Sequence, residues 1–133
     1  NSHATAYAFL AFQTMWLKIN YTLEFYVALL NNHRDDSDKI LRYIRDASSH
    51  GISIYGVNVN ESRVGFVIDK KGIRKGFDQI DGVGARVATE IVAHQPYESR
   101  EHFMNTVTKR IVNKRVVERL DEKNVFIFKK EKV

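Results

Sequence analysis

The 133 residues are 44% hydrophobic and 28% charged, which suits one domain or two small modules with a modest core. There is no cysteine, which excludes disulfides, thiolate catalysis, zinc–thiolate sites and iron–sulfur clusters. The formal charge of +5 lies wholly in the last quarter: residues 99–133 carry ten Lys/Arg against five Asp/Glu, while residues 1–98 carry eleven of each.

A local basic excess favours an anionic partner such as nucleic acid, with a solvated basic tail as the alternative. No signal-peptide pattern and no long uncharged apolar run occurs, so a soluble, cytoplasmic chain is expected.

In chain order, NSHATAYAFLAFQTMWLKIN reads as a helix whose only charge is Lys18. Ser2 can cap it, and Phe9, Phe12, Trp16 and Ile19 share one face, with Tyr7, Leu10 and Met15 around the rest. A helix apolar on most sides needs cover on most sides, which points to a larger parent. Thr22 can cap a second helix over LEFYVALLNN. Ser37 can cap a third through Ile40, Leu41, Ile44 and Ala47, ended by Gly51. Asp35, Asp36 and Asp38 precede that third helix and complement its dipole; metal ligation is the weaker alternative, and the five histidines show no ligand spacing.

Ile52 and Ile54 alternate with polar neighbours as in a short strand. A hairpin follows, from Phe66 to Ile68, turning on Asp69-Lys70-Lys71-Gly72 and returning through Ile73 to Lys75. Residues 52–76 thus read as a β connection between two modules. Helical pattern resumes at Phe77, passes through a glycine pair and stops before Pro96. Ser99 caps a short helix through Phe103. Asn113 caps KRVVERLDEK with Val116, Val117 and Leu120 inward, and Asn124 stands where a left-handed cap is expected.

The stretch FDQIDGVGARVATEIV, residues 77–92, carries the chemistry. Glycine costs roughly 1 kcal/mol against alanine within a helix. Gly82 and Gly84 therefore read as a tight hairpin between two helices, with Val83 as the apolar plug. Bare backbone there leaves a cluster of N–H groups at the start of the helix from Ala85, where the dipole is positive. A phosphate oxygen suits such a seat, and Arg86 can add charge. A helix–helix corner without a ligand is the alternative. The pattern resembles the helix-hairpin-helix motif of non-sequence-specific DNA-binding proteins. A second, glycine-free copy is expected downstream, where Lys109 and Arg110 precede Ile111-Val112 and Asn113 caps a helix opened by Lys114 and Arg115. A basic, solvated helix start is the alternative there.

A wider resemblance covers most of the chain. Ser2, His3, Ala4, Ala6, Tyr7, Gln13, Thr14, Trp16, Leu17, Lys18, Glu24 and Phe25 fall into a frame that resembles the fingers of the bacterial replicative DNA polymerase III α subunit, the C family. VNVNESRVGF, IRKGFDQIDGVG and VNKRVVERL resemble later stretches of the same family, in the same order. Departures exist: the family's lysine before the Ser-His pair is absent, Tyr55-Gly56 stands where prolines are usual, and Thr22-Leu23 replaces the proline before Glu24-Phe25.

The resemblance implies a mainly α fold. Residues 1–51 would be the C-terminal part of the fingers, 52–76 the β connection, 77–128 a tandem helix-hairpin-helix module and 129–133 a basic tail. It implies duplex DNA (primer–template) and the remainder of the polymerase as partners in DNA replication, with no membrane. It also implies that Ser2, His3 and Tyr7 face the incoming nucleotide in the parent. Nothing matches the palm, whose aspartates hold the magnesium of nucleotidyl transfer. This chain is therefore expected to have no catalytic residue, no metal and no cofactor of its own, and to be inactive alone. Two other readings stay beside it: a small helical protein-interaction domain, and a repair enzyme with the same hairpin. The repair class needs a catalytic aspartate after the second helix, and here no Val-Asp follows Arg86-Val87.

Overall fold

The computed structural model describes residues 22–128. The expected first helix, with Ser2, His3 and Tyr7, lies outside the described residues.

Two helices open the described fold: α1 (Thr22–Asn31) and α2 (Ser37–Ser49). Asp36, rather than Ser37, caps α2; its carboxylate accepts the Lys39 amide at 3.2 Å, and Ser37 is the first helical residue. A cap must sit one residue outside the helix with extended backbone, and Asp36 (φ −112°, ψ 93°) does so. Gly51 ends the helix as expected, at φ 82°, donating to the Ser48 carbonyl at 3.0 Å. Leu41 stays on the surface, 49% exposed, while Ile40 and Ala47 are buried.

Three short strands follow: β1 (Ser53–Tyr55), β2 (Val67–Asp69) and β3 (Gly72–Arg74). β3 is central, parallel to β1 with Ile54 opposite Ile73, and antiparallel to β2 with Ile68 opposite Ile73. The β2–β3 turn is made at Lys70, in the left-handed region at φ 58°. Gly72 is required by proximity: a Cβ there would lie 2.5 Å from the Ser53 carbonyl oxygen. Arg74 closes the sheet end, 2.6 Å from the Asp69 carboxylate and stacked on Tyr55 at 4.8 Å.

Two apolar cores result. In the first, Tyr26, Leu30, Ile40 and Ala47 of the helices meet Ile52, Phe66 and Ile73 of the sheet region. The 52–76 stretch, expected as a connection, thus packs as a layer against α1 and α2. The Asn31 side chain fastens it, donating to the Phe66 carbonyl (2.9 Å) and accepting its amide (2.8 Å). The second core belongs to a 3₁₀ turn (Phe77–Gln79) and helices α3 (Ala85–Ala93), α4 (Arg100–Thr106) and α5 (Lys114–Glu122). Phe77, Ile80, Val83, Ala88, Ile91, Phe103, Val112, Val116, Val117 and Leu120 fill it. Complete burial of Phe77 and of Phe103 contributes about 2–3 kcal/mol each.

The VNVNES stretch is a hub between the two cores. Val59 enters the second core and donates to the Val125 carbonyl at 2.9 Å. Asn60 clasps Tyr97 through two bonds of 2.8 and 2.6 Å, as Asn31 clasps Phe66. Ser62, fully buried, accepts the Asn58 amide and donates to the Lys75 carbonyl. No buried side-chain polar atom of the described residues lacks a hydrogen-bond partner, as a buried turn requires. The described fold is mainly α with one small sheet.

Candidate nucleic-acid interface

The first hairpin begins with a single 3₁₀ turn where the sequence predicts a helix running to the glycines. The turn ends at Ile80, whose backbone is extended at φ −96° and ψ 124°. A Cβ at Gly76 would lie 2.4 Å from the Val64 and Gly65 carbonyl oxygens, so the chain before Phe77 is pinned to the preceding loop. Phe77 and Asp78, whose amides would have no partner within a helix starting there, donate to the Arg63 and Val64 carbonyls. Arg34 adds an ion pair to Asp78 at 3.0 Å. Burial pushes the Asp78 carboxyl up against the opposing pull of its hydrogen bond to Gln79 and of the Arg34 charge.

Across the turn, the two glycines have different jobs. Gly82 is at φ 88°, the left-handed region that a side chain resists. Gly84 is extended, at φ −82° and ψ 179°, where any residue fits, and among the described residues a Cβ there would meet nothing within 4 Å beyond its chain neighbours. Val83 between them is buried, as the plug reading expects, and its amide donates to the Ile80 carbonyl at 3.0 Å. Gly84 caps α3 without a side chain, and the first helical bond is from Ala88 to the Gly84 carbonyl. Among the described residues, no partner is found for the amides of Ala85, Arg86 and Val87. Arg86 is exposed in this first turn.

The second hairpin repeats this geometry 29 residues later (84 to 113). Asn113 has φ −84° and ψ 179°, within 2° of Gly84 in φ and equal in ψ. Val112 is buried as Val83 is, Val117 donates to the Asn113 carbonyl as Ala88 does to Gly84, and Leu120 is buried as Ile91 is. One difference is chemical. The Asn113 side chain accepts the Val116 amide at 3.0 Å, so this cap offers only the Lys114 and Arg115 amides outward. It compensates with charge: Lys109, Arg110, Lys114 and Arg115 are all exposed, and none forms an ion pair among the described residues.

Two side chains that sequence reasoning did not single out join the hairpins. Glu90 of α3 accepts the Thr108 amide, at the start of the second turn, at 2.9 Å; His94 lies 3.2 Å from the same carboxylate oxygen. The Thr108 bonds hold the Glu90 carboxyl below its ordinary value near 4.5, with a smaller contribution from His94. Arg119 of α5 lies against the first turn: its Cγ and Nε are 3.5 and 3.6 Å from where a Gly82 Cβ would be. Glu90 and Arg119 occupy matching positions of the repeat, and each reaches the loop of the other hairpin. The signal that could have found them is the repeat itself, laid over α3 and α5.

No group of three or more His, Asp or Glu that could hold a metal ion occurs among the described residues. No described helix is long and apolar enough to cross a membrane.

A family described as helix-hairpin-helix motif matches residues 51–130. Over 90% of its length the chain is 37% identical to the DNA polymerase III subunit alpha of Thermus aquaticus. It is 35% identical over 98% of its length to that of Aquifex aeolicus, and 37% identical over 94% to that of Chlamydia pneumoniae. The chain spans only 10%, 12% and 10% of these three relatives. The resemblance drawn from the Ser-His-Ala, VNVNES and GVG stretches is borne out.

Proposed function

The chain belongs to the helix-hairpin-helix motif family, and on that premise we propose that its two caps hold the phosphate backbone of duplex DNA as part of a replicative polymerase. The equal backbone geometry of Gly84 and Asn113 carries the reading. Two helix starts with outward amides and a shared positive field make a pair of anion seats on one small body. Phosphate contacts of this kind set position and carry no base sequence. The grip would then hold primer–template duplex while the remainder of the polymerase, with its own magnesium, performs nucleotidyl transfer during DNA replication. In this division of labour the chain alone makes no DNA. Gly82, Val83 and Gly84 shape the first seat and Arg86 adds charge to it; Lys109, Arg110, Asn113, Lys114 and Arg115 form the second.

Fluorescence anisotropy of a labelled duplex against salt concentration tests the grip. Contacts to three or four phosphates predict a slope of log K on log salt of about −3 to −4, independent of base sequence. Absence of binding at ~50 mM salt would remove the DNA-holding role.

A further inference from the structure

We infer that Arg119 is a further phosphate-contacting residue, supplied by the second hairpin to the seat of the first; the inference rests on the DNA-holding reading above. The two seats are unequally charged. The first offers three amides but a single cation of its own in its first turn, Arg86; the second has four cations. Arg119 corrects this imbalance by crossing over. Its Cδ, Cγ and Nε lie 3.5–3.9 Å from the Gly82 Cβ position, so the stem runs along the bare turn and carries the guanidinium to the first hairpin.

Three further observations point to an anion as its partner. Arg119 stands four residues after Arg115 on α5, so two cations share one exposed helix face. Like charges at that spacing destabilise a helix by a few tenths of a kcal/mol. Its ion pair with Glu122 is long, at 3.5 Å, and solvated, with side chains 49% and 62% exposed; such pairs contribute little. The matching position of the repeat is filled by Glu90, which accepts a backbone amide. Arg119 cannot accept, and the turn it covers has no side chain at Gly82 to pair with it. The row Arg115–Arg119 thus leads from the Asn113 cap to the Gly82 turn, and one DNA strand laid along it would meet both seats.

Anisotropy titrations of the full 133-residue chain with a labelled duplex test this in Arg119→Gln, Arg119→Lys and Glu122→Gln. Losing one phosphate contact lowers the magnitude of the salt slope by about 0.9 and weakens binding roughly eightfold at 0.1 M salt, with the gap closing toward 1 M. Arg119→Gln is expected to show both effects with an unchanged thermal midpoint. Arg119→Lys is expected to keep the slope. Glu122→Gln, which frees the guanidinium, is expected to steepen it, and an unchanged slope there overturns the assignment even if Arg119→Gln folds poorly. A slope in Arg119→Gln equal to that of the parent overturns the assignment while leaving the DNA-holding reading intact. A parent that binds no duplex overturns both.

Discussion

The carboxylate of Glu90 accepts the backbone amide of Thr108 at 2.9 Å, across 18 residues of chain, and so ties the second helix of one hairpin to the turn of the other. The amide is in a loop with no helical partner, and among the described residues the carboxylate is its only bond. Charge assistance strengthens such a bond, while partial exposure weakens it. Glu90→Ala is expected to lower unfolding free energy by about 1 kcal/mol, measured by urea denaturation. Glu90→Gln keeps an acceptor oxygen and should lose less.

The same bond predicts a pH dependence. The Thr108 amide holds the folded-state Glu90 carboxyl below its ordinary value near 4.5. Its stabilisation is therefore fully present above about pH 4.5 and is lost as pH falls through the folded value. Asp78 acts in the opposite direction, since burial raises its carboxyl above the ordinary 3.8. Urea midpoints between pH 7 and pH 3 should fall less steeply in Glu90→Gln than in the parent. In Asp78→Asn they should fall more steeply than in the parent.

At the second cap, Asn113→Ala removes the acceptor for the Val116 amide at 3.0 Å. A loss of about 1 kcal/mol is expected. Asn113→Asp keeps the cap and suits the helix dipole, so stability should hold. A carboxylate placed there repels phosphate, so duplex affinity should fall. Denaturation and anisotropy on the same two variants separate these effects.

Gly82→Ala should destabilise by about 1–2 kcal/mol through backbone alone, because φ of 88° is strained for any side chain. The space itself is free, with the nearest atom of Arg119 at 3.5 Å. A thermal midpoint unchanged by Gly82→Ala would contradict this account of the turn.

Much of the fold was legible because its determinants are local. Ser99, Asn113, Gly51 and Asn124 act as caps within a few residues of themselves, and apolar spacing placed Val116, Val117 and Leu120 inside. Asp36 displaced Ser37 because neighbouring residues both had cap chemistry and only the backbone angle decides. The collapse of the first hairpin helix to one 3₁₀ turn was hidden, since it rests on the extended backbone of Ile80, which the apolar spacing does not report. The two glycines looked alike in sequence, and only their φ values separate a turn-maker from an open cap. Glu90 and Arg119 escaped notice because their partners lie on the other hairpin, where periodicity along one helix cannot reach.

The proposed phosphate grip requires that Gly84 carry no side chain. Among the described residues, and apart from its chain neighbours, nothing lies within 4 Å of a Cβ placed there, and its backbone suits any residue. Gly84→Val, measured by anisotropy on a labelled duplex beside a thermal melt, tests this most directly. The predicted result is a loss of duplex affinity of at least about tenfold, corresponding to roughly 1.4 kcal/mol, with the thermal midpoint essentially unchanged. Full affinity in a folded Gly84→Val protein would contradict the claim.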